Sequence, residues 1–265
     1  MTYTRNLILT LLVLLCHAAG AYGQCKIENT AFKAGETLTY DFYFNWKFIW
    51  LKAGYAKMKI TQDNYKGTPS LKCHLIFGGN NKYSSLFTMN DTLVPHITNE
   101  LVPLHFRKGA FEGKRYTVDE MWYSYKNGLT TLKQKYRNKD GEVSEKQHLT
   151  TDCLYDMLSL LCRARSIDAS KYKKGDRIGF KMCTGRKVQD ETLVFLGKEE
   201  IKANDDKKYN CIALSVLDYE DKKKDKELLR FYVTDDANHV PIRIDFYLKF
   251  GTAKAFFKSG TGLKN

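Results

Sequence analysis

The sequence has only 4 Pro, no low-complexity linker and no apolar run as long as a membrane span. Without Pro-rich or repetitive stretches it offers no boundary between domains, so a single continuous domain is predicted. The longest apolar stretch covers residues 7–15, whereas a helix needs roughly 20 apolar residues to cross a bilayer. The sequence therefore argues against a string of linked domains and against a helical membrane span.

Local catalytic signatures are also missing. The chain has no G-x-S-x-G nucleophile elbow and no cysteine in a protease-like setting. None of the histidines after residue 23 stands in H-E-x-x-H; they are His74, His96, His105, His148 and His239. We therefore expect no cofactor and favour a non-enzymatic protein. A catalytic site assembled from residues distant in sequence stays open.

The first 23 residues are typical of a cleavable export signal. Arg5 supplies the positive start, residues 7–15 supply the apolar stretch, and Ala21-Tyr22-Gly23 is an A-x-A-like site for cleavage before Gln24. Cys25 follows Gln24, whereas a lipid-modified cysteine needs a small residue in front of it, so a lipid-anchored form is the less favoured alternative. The sequence predicts a signal peptide over 1–23 and a periplasmic or secreted domain over 24–265, without a transmembrane segment after cleavage.

Positive charge dominates the composition, with 43 Lys and Arg against 30 Asp and Glu and a net charge of +13. The densest run is Lys222-Lys223-Lys224-Asp225-Lys226. A solvated lysine-rich surface is the first interpretation, and attraction to an anionic lipid or acidic glycan of the cell envelope is the second. Nucleic acid is not expected as a partner, because export removes the chain from it and no recognition motif is present.

Six cysteines follow the signal: Cys25, Cys73, Cys153, Cys162, Cys183 and Cys211. An even number in an exported chain indicates disulfides, but the pairing cannot be deduced from the sequence. A helix over 152–165 would place Cys153 and Cys162 on opposite faces and exclude that one pair. Free buried thiols are the alternative for some of the six.

Alternating apolar and polar residues predict a long series of antiparallel strands. From Thr37 the apolar side chains Leu38, Tyr40, Phe42, Phe44 and Trp46 share one face, and Trp50 continues that parity before Gly54 breaks the run. Further strands are predicted at 55–61, 71–77, 86–94, 101–108, 115–126, 129–137, 177–183, 190–197, 209–219, 227–234, 240–248 and 251–257. Asn127-Gly128 is the clearest hairpin turn among their connections.

One central segment has helical spacing instead. Its apolar stripe comprises Leu154, Met157, Leu158 and Leu161, with Thr150, Thr151 and Asp152 as candidate caps. The sequence predicts a helix over 152–165 with this stripe on the sheet and Ser159 away from it. So many strands in one sheet must curl to protect their edges, which predicts a mainly β fold: an antiparallel meander curled into an open or spiral β-roll or half-barrel around one helix. A β-sandwich is the alternative.

Several segments carry a family resemblance. They are residues 31–40, 152–159 with 163–165, 174–176, 197–199, 234–242 and 251–255. In this order they resemble landmarks of an exported bacterial domain of unknown function, the DUF3108-like family, over nearly the whole chain after the signal. The resemblance implies a Gram-negative envelope protein with a curled antiparallel sheet, broadly like proteins that carry or sense lipid-linked partners. It brings no catalytic residues with it.

Three groups of side chains are candidate binding sites. Trp46 and Trp50 could line a ligand groove, although aromatic residues on an inward face are usually core. Asp235, Asp236 and His239 could hold a metal ion, although Asp and Asn ahead of Pro241 are typical of a turn before the next strand. The third group comprises Arg107, Lys108, Lys114 and Arg115, which bracket a loop predicted between Gly109 and Gly113 and could grip an anion.

The favoured function is an exported envelope protein that binds an apolar or anionic partner (lipid, glycan or envelope protein) in the concavity of its sheet. A hydrolase or other enzyme of envelope polymers is one alternative, and a structural protein-interaction module is another. A deep apolar cavity would favour ligand binding, a cleft with convergent acids or a His dyad would favour the enzyme, and a flat exposed apolar patch would favour the interaction module.

Overall fold

A computed structural model describes residues 25–46, 49–79, 89–184, 187–204, 206–218, 226–248 and 251–265. The predicted signal peptide, Lys222, Lys223 and Lys224 lie outside this description, as do the side chains of Trp46, Met89 and Glu112. Among the described residues, no helix is long and apolar enough to cross a membrane.

The described chain is built mainly of strands. They are β1 Thr37–Trp46, β2 Ile49–Tyr65, β3 Thr68–Gly79, β4 Met89–Thr98, β5 Pro103–Glu112, β6 Arg115–Lys126, β7 Leu129–Arg137, β8 Val143–Thr150, β9 Leu154–Tyr155, β10 Arg177–Thr184, β11 Lys187–Lys202, β12 Lys208–Asp218, β13 Lys226–Thr234, β14 Pro241–Leu248 and β15 Gly251–Thr261. Helix α1, Met157–Arg165, separates β9 from β10, and a 3₁₀ turn at Ala169–Lys171 follows it.

All these strands belong to one 15-stranded sheet in the order β8-β7-β6-β5-β4-β3-β2-β1-β15-β14-β13-β12-β11-β10-β9. Every neighbouring pair is antiparallel except β9 with β10, which is parallel. The sheet does not close, because β8 and β9 each have one strand neighbour. Side chains of α1 pack between β1–β3 and β13–β15 in a shared apolar core. The predicted open β-roll around one helix is confirmed, and the sandwich alternative is wrong because a single sheet carries all the strands.

The two ends of the sheet differ. We call the end that carries the connections after β1, β3, β5, β7, β10, β12 and β14 the hairpin rim. We call the opposite end the packed rim; it holds residues 25–36, the C-terminal end of α1, the turn 235–239 and residues 262–265. Several hydrogen bonds tie the packed rim together, among them Ile27 N to Glu100 O at 3.0 Å and Asn265 N to Asn238 Oδ1 at 2.9 Å.

Two connections between strands agree with the sequence predictions. Asn127 and Gly128 join β6 to β7 with φ angles of 51° and 76°, the left-handed pair that a two-residue hairpin requires. Pro241 begins β14 as predicted. The aromatic run 44–50 does not continue as one strand, however. Trp46, the last residue of β1, pairs with Ile49, the first residue of β2, so the two ends of the run lie in different, antiparallel strands.

The prediction that Trp50 faces inward is wrong. A bulge shifts the β1–β2 register between Phe42 and Tyr43, so Trp50 pairs with Asn45 on the face opposite Phe42. Its side chain is 42% exposed, and Lys254 Nζ lies 4.7 Å from its ring centroid. Gly54 does not end the strand either: a Cβ at Gly54 would lie 2.0 Å from the Gly78 carbonyl oxygen, so this glycine permits close approach of β2 and β3.

Helix α1 is shorter than the predicted 152–165. Leu154 and Tyr155 are extended because they pair with Lys181 and Met182 at the edge of β10. Asp156 is the N-cap, and its Oδ1 accepts hydrogen bonds from Leu158 N at 3.1 Å and Ser159 N at 2.9 Å. The candidate caps Thr150 and Asp152 instead bond to each other at 2.9 Å, before β9.

Ser159 is fully buried, not off the core as predicted, because the helix is covered on more than one side. A disulfide joins Cys25 to Cys153 with a Cα–Cα distance of 5.5 Å. Cys153 lies ahead of α1, so the argument from opposite helix faces does not apply to it. Cys73, Cys162, Cys183 and Cys211 are buried free thiols.

Candidate functional site

An apolar crevice lies between α1 and the concave face of the sheet. Its cavity volume is about 60 Å³, and the crevice is partly open to solvent. Its walls are Tyr40, Ala56, Met58, Leu75 and Phe77 from β1–β3, Met157, Leu158, Leu160 and Leu161 from α1, and Leu229, Phe231, Ile244, Phe246 and Ala255 from β13–β15. None of these residues carries a charge.

Strand parity builds the crevice walls. In β2, Ala56, Met58 and Ile60 are buried while the residues between them are exposed, which is the alternation expected of a half-buried strand. Phe42 packs against Phe77 with ring centroids 5.8 Å apart and against Phe246 at 6.2 Å, so aromatic side chains connect the two halves of the sheet.

The one polar side chain in the crevice wall is Tyr40, which is 5% exposed. Burial raises the pKa of Tyr40 above its usual range, so its phenol stays neutral at physiological pH. The crevice can therefore accept apolar groups, but it offers a sugar or an anion only one hydrogen-bonding side chain.

A buried ion pair closes the packed rim below the crevice. Arg165 Nη1 donates to Glu36 Oε1 at 2.6 Å and Nη2 donates to Oε2 at 2.9 Å, with both side chains at 0% exposure. Arg165 also donates to the carbonyl oxygens of His239 at 3.1 Å and Asn238 at 3.0 Å. This one guanidinium joins the helix, the segment before β1 and the turn 235–239.

The candidate metal residues form that turn. Asp236 Oδ1 accepts hydrogen bonds from Thr234 Oγ1 at 2.8 Å, Asn238 N at 2.8 Å and His239 N at 3.1 Å. Asp235 pairs with Lys198 at 2.8 Å, and His239 Nδ1 contacts the carbonyl oxygen of Arg165. Within the described ranges, no group of three or more His, Cys, Asp or Glu side chains is arranged to hold a metal ion.

A buried carboxyl begins the helix. Asp156 is 0% exposed, and its Oδ2 accepts a hydrogen bond from Ser159 Oγ at 2.6 Å. Burial raises the pKa of Asp156 to about 6, while the hydrogen bonds from Ser159 and the helix backbone act in the opposite direction. This group changes charge in a mildly acidic range although its side chain has no contact with solvent.

A second titratable cluster lies on the outer face of the sheet, opposite the core. His96 Nε2 contacts Asp63 Oδ2 at 3.1 Å, the two Nδ1 atoms of His96 and His105 are 3.4 Å apart, and His105 Nε2 contacts Glu120 Oε1 at 2.9 Å. Tyr65 stacks on His105 with ring centroids 5.1 Å apart. We call Asp63, His96, His105 and Glu120 the histidine array.

Sequence reasoning missed the histidine array because its members come from four strands. His96 and His105 pair directly across the β4–β5 hairpin, and His105 pairs with Trp122 of β6. Only the register of the sheet brings them together. Burial lowers the pKa of both His96 and His105. The array is a His dyad with flanking acids, but it lies on the outer face of the sheet and not in the apolar crevice.

The four predicted anion-binding cations are not brought together. Gly109 lies inside β5, so the loop predicted between Gly109 and Gly113 does not exist, and Lys114 belongs to a tight turn. In the β5–β6 register, Arg107 lies opposite Glu120, and Arg115 lies opposite Glu112. The positions of the two arginines therefore differ by five residues along the strands, which is roughly 17 Å at the rise of a β-strand.

Alternation also separates the first two cations of that set. Arg107 donates to Tyr116 Oη at 3.3 Å, while Lys108 lies on the opposite face, 3.5 Å from Asp91. Trp46 ends β1, and Trp50 lies on the outer face, apart from the crevice. A role for any of these residues in binding stays a prediction.

Comparison with known proteins gives the family. The chain matches the family described as a protein of unknown function, DUF3108, over residues 39–258. It belongs to that family. The resemblance noted from its sequence segments is thereby confirmed for this DUF3108 chain. No curated protein matches its sequence.

One solved structure supports the fold of this DUF3108 chain. It is similar to a β-barrel-like protein of domain of unknown function DUF1849 from Brucella abortus, with 8% identity, coverage of 89% of this chain and 100% of that chain, and a TM-score of 0.55. At that identity the likeness shows the fold alone.

Two further solved structures are less similar to this chain. A predicted exported protein with a YmcC-like fold from Bacteroides fragilis has 8% identity, coverage of 89% and 98%, and a TM-score of 0.33. A predicted lipoprotein from Parabacteroides distasonis has 8% identity, coverage of 89% and 99%, and a TM-score of 0.34.

Proposed function

We propose that the chain after residue 23 is one exported envelope domain that binds the apolar chain of a ligand in the crevice. The observation that carries this proposal is the uncharged wall formed by α1 and both halves of the sheet. Apolar concavities are where proteins bind small apolar ligands, in pockets of roughly 300–1,000 Å³. The cavity of about 60 Å³ is smaller, so binding of an acyl chain requires α1 and the sheet to move apart. The predicted signal peptide and the disulfide between Cys25 and Cys153 support an exported setting.

The crevice chemistry favours a lipid over a glycan. A sugar needs several hydrogen-bonding groups, and Tyr40 is the only polar side chain in the described wall. A polar or anionic head group would remain outside, where the basic surface of a chain with net charge +13 attracts negative charge. The ligand class is therefore an amphiphile with at least one acyl-like chain.

A fluorescent apolar probe tests the crevice directly. Wild-type protein should bind N-phenyl-1-naphthylamine, and a fatty acid should displace it. Ala255→Leu places a larger side chain in the crevice wall and should weaken binding about tenfold, equivalent to about 1.4 kcal/mol.

Ala253→Leu is the matched control. Ala253 is 1% exposed in the same strand but does not line the crevice, so the same volume is added elsewhere in the core. Equal probe affinity in both variants at equal melting temperature, or no probe binding by the wild type, would reject the proposal. Native mass spectrometry of protein purified from its own envelope would then identify the bound lipid.

A further inference from the structure

The two imidazoles of the histidine array turn their second nitrogens toward each other. His96 Nε2 contacts Asp63 Oδ2 at 3.1 Å, and His105 Nε2 contacts Glu120 Oε1 at 2.9 Å. An ionised carboxylate only accepts hydrogen bonds, so each Nε2 carries the proton of its neutral ring. The two Nδ1 atoms, 3.4 Å apart, then present lone pairs that repel each other. A proton or a metal ion between them removes that repulsion.

The distance between the two Nδ1 atoms fits a tetrahedral ion. Zinc–nitrogen bonds of about 2.0–2.1 Å place two nitrogen ligands of a tetrahedral ion roughly 3.3–3.4 Å apart. The same bond lengths give roughly 2.8–3.0 Å for neighbouring ligands of a square-planar ion and roughly 4.0–4.2 Å for opposite ones. The observed 3.4 Å matches the tetrahedral value, and zinc is the divalent ion that combines this geometry with imidazole ligands.

We propose that the Nδ1 atoms of His96 and His105 bind one Zn²⁺ ion on the outer face of the sheet. Asp63 and Glu120 hold the Nε2 atoms, which is how carboxylates orient metal-binding histidines and raise their basicity. The carboxylates therefore support the ligands and do not bind the ion themselves. With two protein ligands the site is compatible with the lack of a three-ligand group among the described residues, and water completes the tetrahedron.

The sheet and a neighbouring aromatic ring hold both imidazoles in place. His96 and His105 lie directly opposite each other in the β4–β5 pair, so strand register fixes their separation. The Tyr65 ring packs on both, with centroids 4.9 Å from His96 and 5.1 Å from His105. This contact covers the ring faces, whereas a metal ion binds in the ring plane. Zinc binding would therefore order little that is not already ordered.

Charges near the array both favour and oppose a bound cation. Each carboxylate raises the pKa of its own histidine more than any nearby lysine or arginine lowers it. The opposing side chains are Lys66, Lys72 and Arg107. The surroundings of the two rings thus permit a cation, but with only two protein ligands the affinity should be below that of a structural zinc site with four.

Calorimetric titration tests the site. The untagged mature chain, first freed of metal with a chelator, should bind one Zn²⁺ ion per molecule. Mg²⁺ should not compete, because it prefers oxygen ligands. His96→Gln and His105→Gln should each abolish zinc binding. Glu120→Gln keeps an oxygen near His105 but removes the charge, and it should weaken zinc binding about 10- to 100-fold.

His74→Gln is the matched control. His74 lies in β3 on the same outer face, two residues from Lys72, which pairs with His96, and it takes no part in the hydrogen bonds of the array. This variant should keep the zinc affinity of the wild type. Zinc should raise the melting temperature of the wild type and of His74→Gln but not of His105→Gln, because an ion bound only by the folded chain stabilises it. Melting curves without zinc verify that each variant folds.

Cobalt reports the geometry of the bound ion. Co²⁺ in place of zinc should give the strong visible absorption of a tetrahedral complex, and this absorption should be missing in His105→Gln. No zinc binding by the wild type, equal zinc affinity in the wild type and both array variants, or an equal loss in His74→Gln would overturn the proposal. A weak octahedral Co²⁺ spectrum would overturn it as well.

The zinc and crevice proposals fail separately, because the array lies on the opposite face of the sheet from the crevice. His105→Gln should still bind N-phenyl-1-naphthylamine, and Ala255→Leu should still bind zinc. A wild-type chain that binds the probe but not zinc would reject the metal site alone, and the reverse result would reject the crevice alone.

Discussion

At the residue scale, the described core contains a fully buried ion pair. Glu36 and Arg165 are both fully buried and joined by two hydrogen bonds, with two backbone carbonyls satisfying further guanidinium protons. Such a pair contributes little net stability over apolar residues, because desolvation offsets the attraction. Removing one partner is different, since it leaves the other charge buried and unpaired.

We therefore predict that Glu36→Gln lowers the free energy of unfolding by about 3–5 kcal/mol. The double variant Glu36→Gln with Arg165→Met should lose less than Glu36→Gln alone, because no unpaired charge remains. Urea melts of the three proteins measure the difference. A double variant less stable than the single variant would show that Arg165 acts mainly through its bonds to the turn 235–239.

The raised pKa of Asp156 predicts that the free energy of unfolding depends on pH. Its pKa rises from 3.8 to about 6 on folding, so between these values the folded chain binds more protons than the unfolded chain. The free energy of unfolding should therefore fall as pH rises from about 4 to about 6, by at most about 3 kcal/mol from this group. Asp156→Asn keeps a capping oxygen and should flatten this part of the profile. An unchanged slope in urea melts across this range would contradict the assignment.

We predict that His96 and His105 of the histidine array share one extra proton. Its three contacts each require one hydrogen, but two neutral imidazoles between ionised carboxylates supply only two. We expect the pair to take up one proton before the other, in two separate steps, as pH falls. The array is surrounded by charged or titratable groups on neighbouring strands: Lys66, Lys72, His74, Arg107 and Tyr65.

Because burial lowers the pKa of both rings, this protonation should destabilise the fold as pH falls through the folded pKa values. Imidazole NMR titrations of the wild type and of His96→Gln measure the steps. Independent single-step titration of His105 with the same midpoint in both proteins would show that the two rings do not share a proton.

At the element scale, α1 is the one helix of the described chain, and its neighbours decide its limits. Only nine residues long, it would be marginal alone, and its stability comes from packing on the sheet. The two-residue strand β9 removes Leu154 and Tyr155 from the helix because pairing with β10 satisfies their backbone. Propensity in the segment could not reveal a competitor 27 residues further along the chain.

Substituting Asp at three positions of α1 should lower the free energy of unfolding by different amounts. Leu158→Asp should lower the free energy of unfolding by at least about 4 kcal/mol, a large share of a typical total of about 5–15 kcal/mol. Ser159→Asp should also destabilise strongly, because it buries a second carboxylate beside Asp156. Leu161→Asp should cost less, since Leu161 is only partly buried. Urea melts rank the three, and tolerance of Ser159→Asp would contradict the buried position of this side chain.

At the scale of the whole molecule, one covalent link joins the start of the described chain to its centre. The disulfide between Cys25 and Cys153 closes a loop with a sequence separation of 128. Four cysteines remain as buried thiols. A long loop restricts the unfolded chain considerably, so removing the bond should lower the free energy of unfolding by about 2–5 kcal/mol.

Thiol labelling provides the test. Native mature protein should resist alkylation, the unfolded protein without reductant should take four labels, and the unfolded reduced protein should take six. Cys153→Ser should expose a fifth thiol on unfolding and show the lower stability in urea. Two labels in the unfolded unreduced protein would instead indicate a second disulfide among the four buried cysteines.

The sequence by itself predicted most of the strands, several of their turns and the family, while the export signal stays a prediction. It did not predict β8, and it placed both residues of β9 in the helix. Alternation in β1, the turn at Asn127-Gly128 and Pro241 at the start of β14 are properties of contiguous residues, so local physical chemistry suffices to predict them. Tertiary structure decided what no single segment contains. A bulge in the β1–β2 register turned Trp50 outward, and strand pairing brought together the histidine array from β2, β4, β5 and β6. Packing of α1 between the two halves of the sheet formed the apolar crevice. Register and curl arise from contacts between residues far apart in the chain, and a shift of one residue moves every side chain of a strand to the other face.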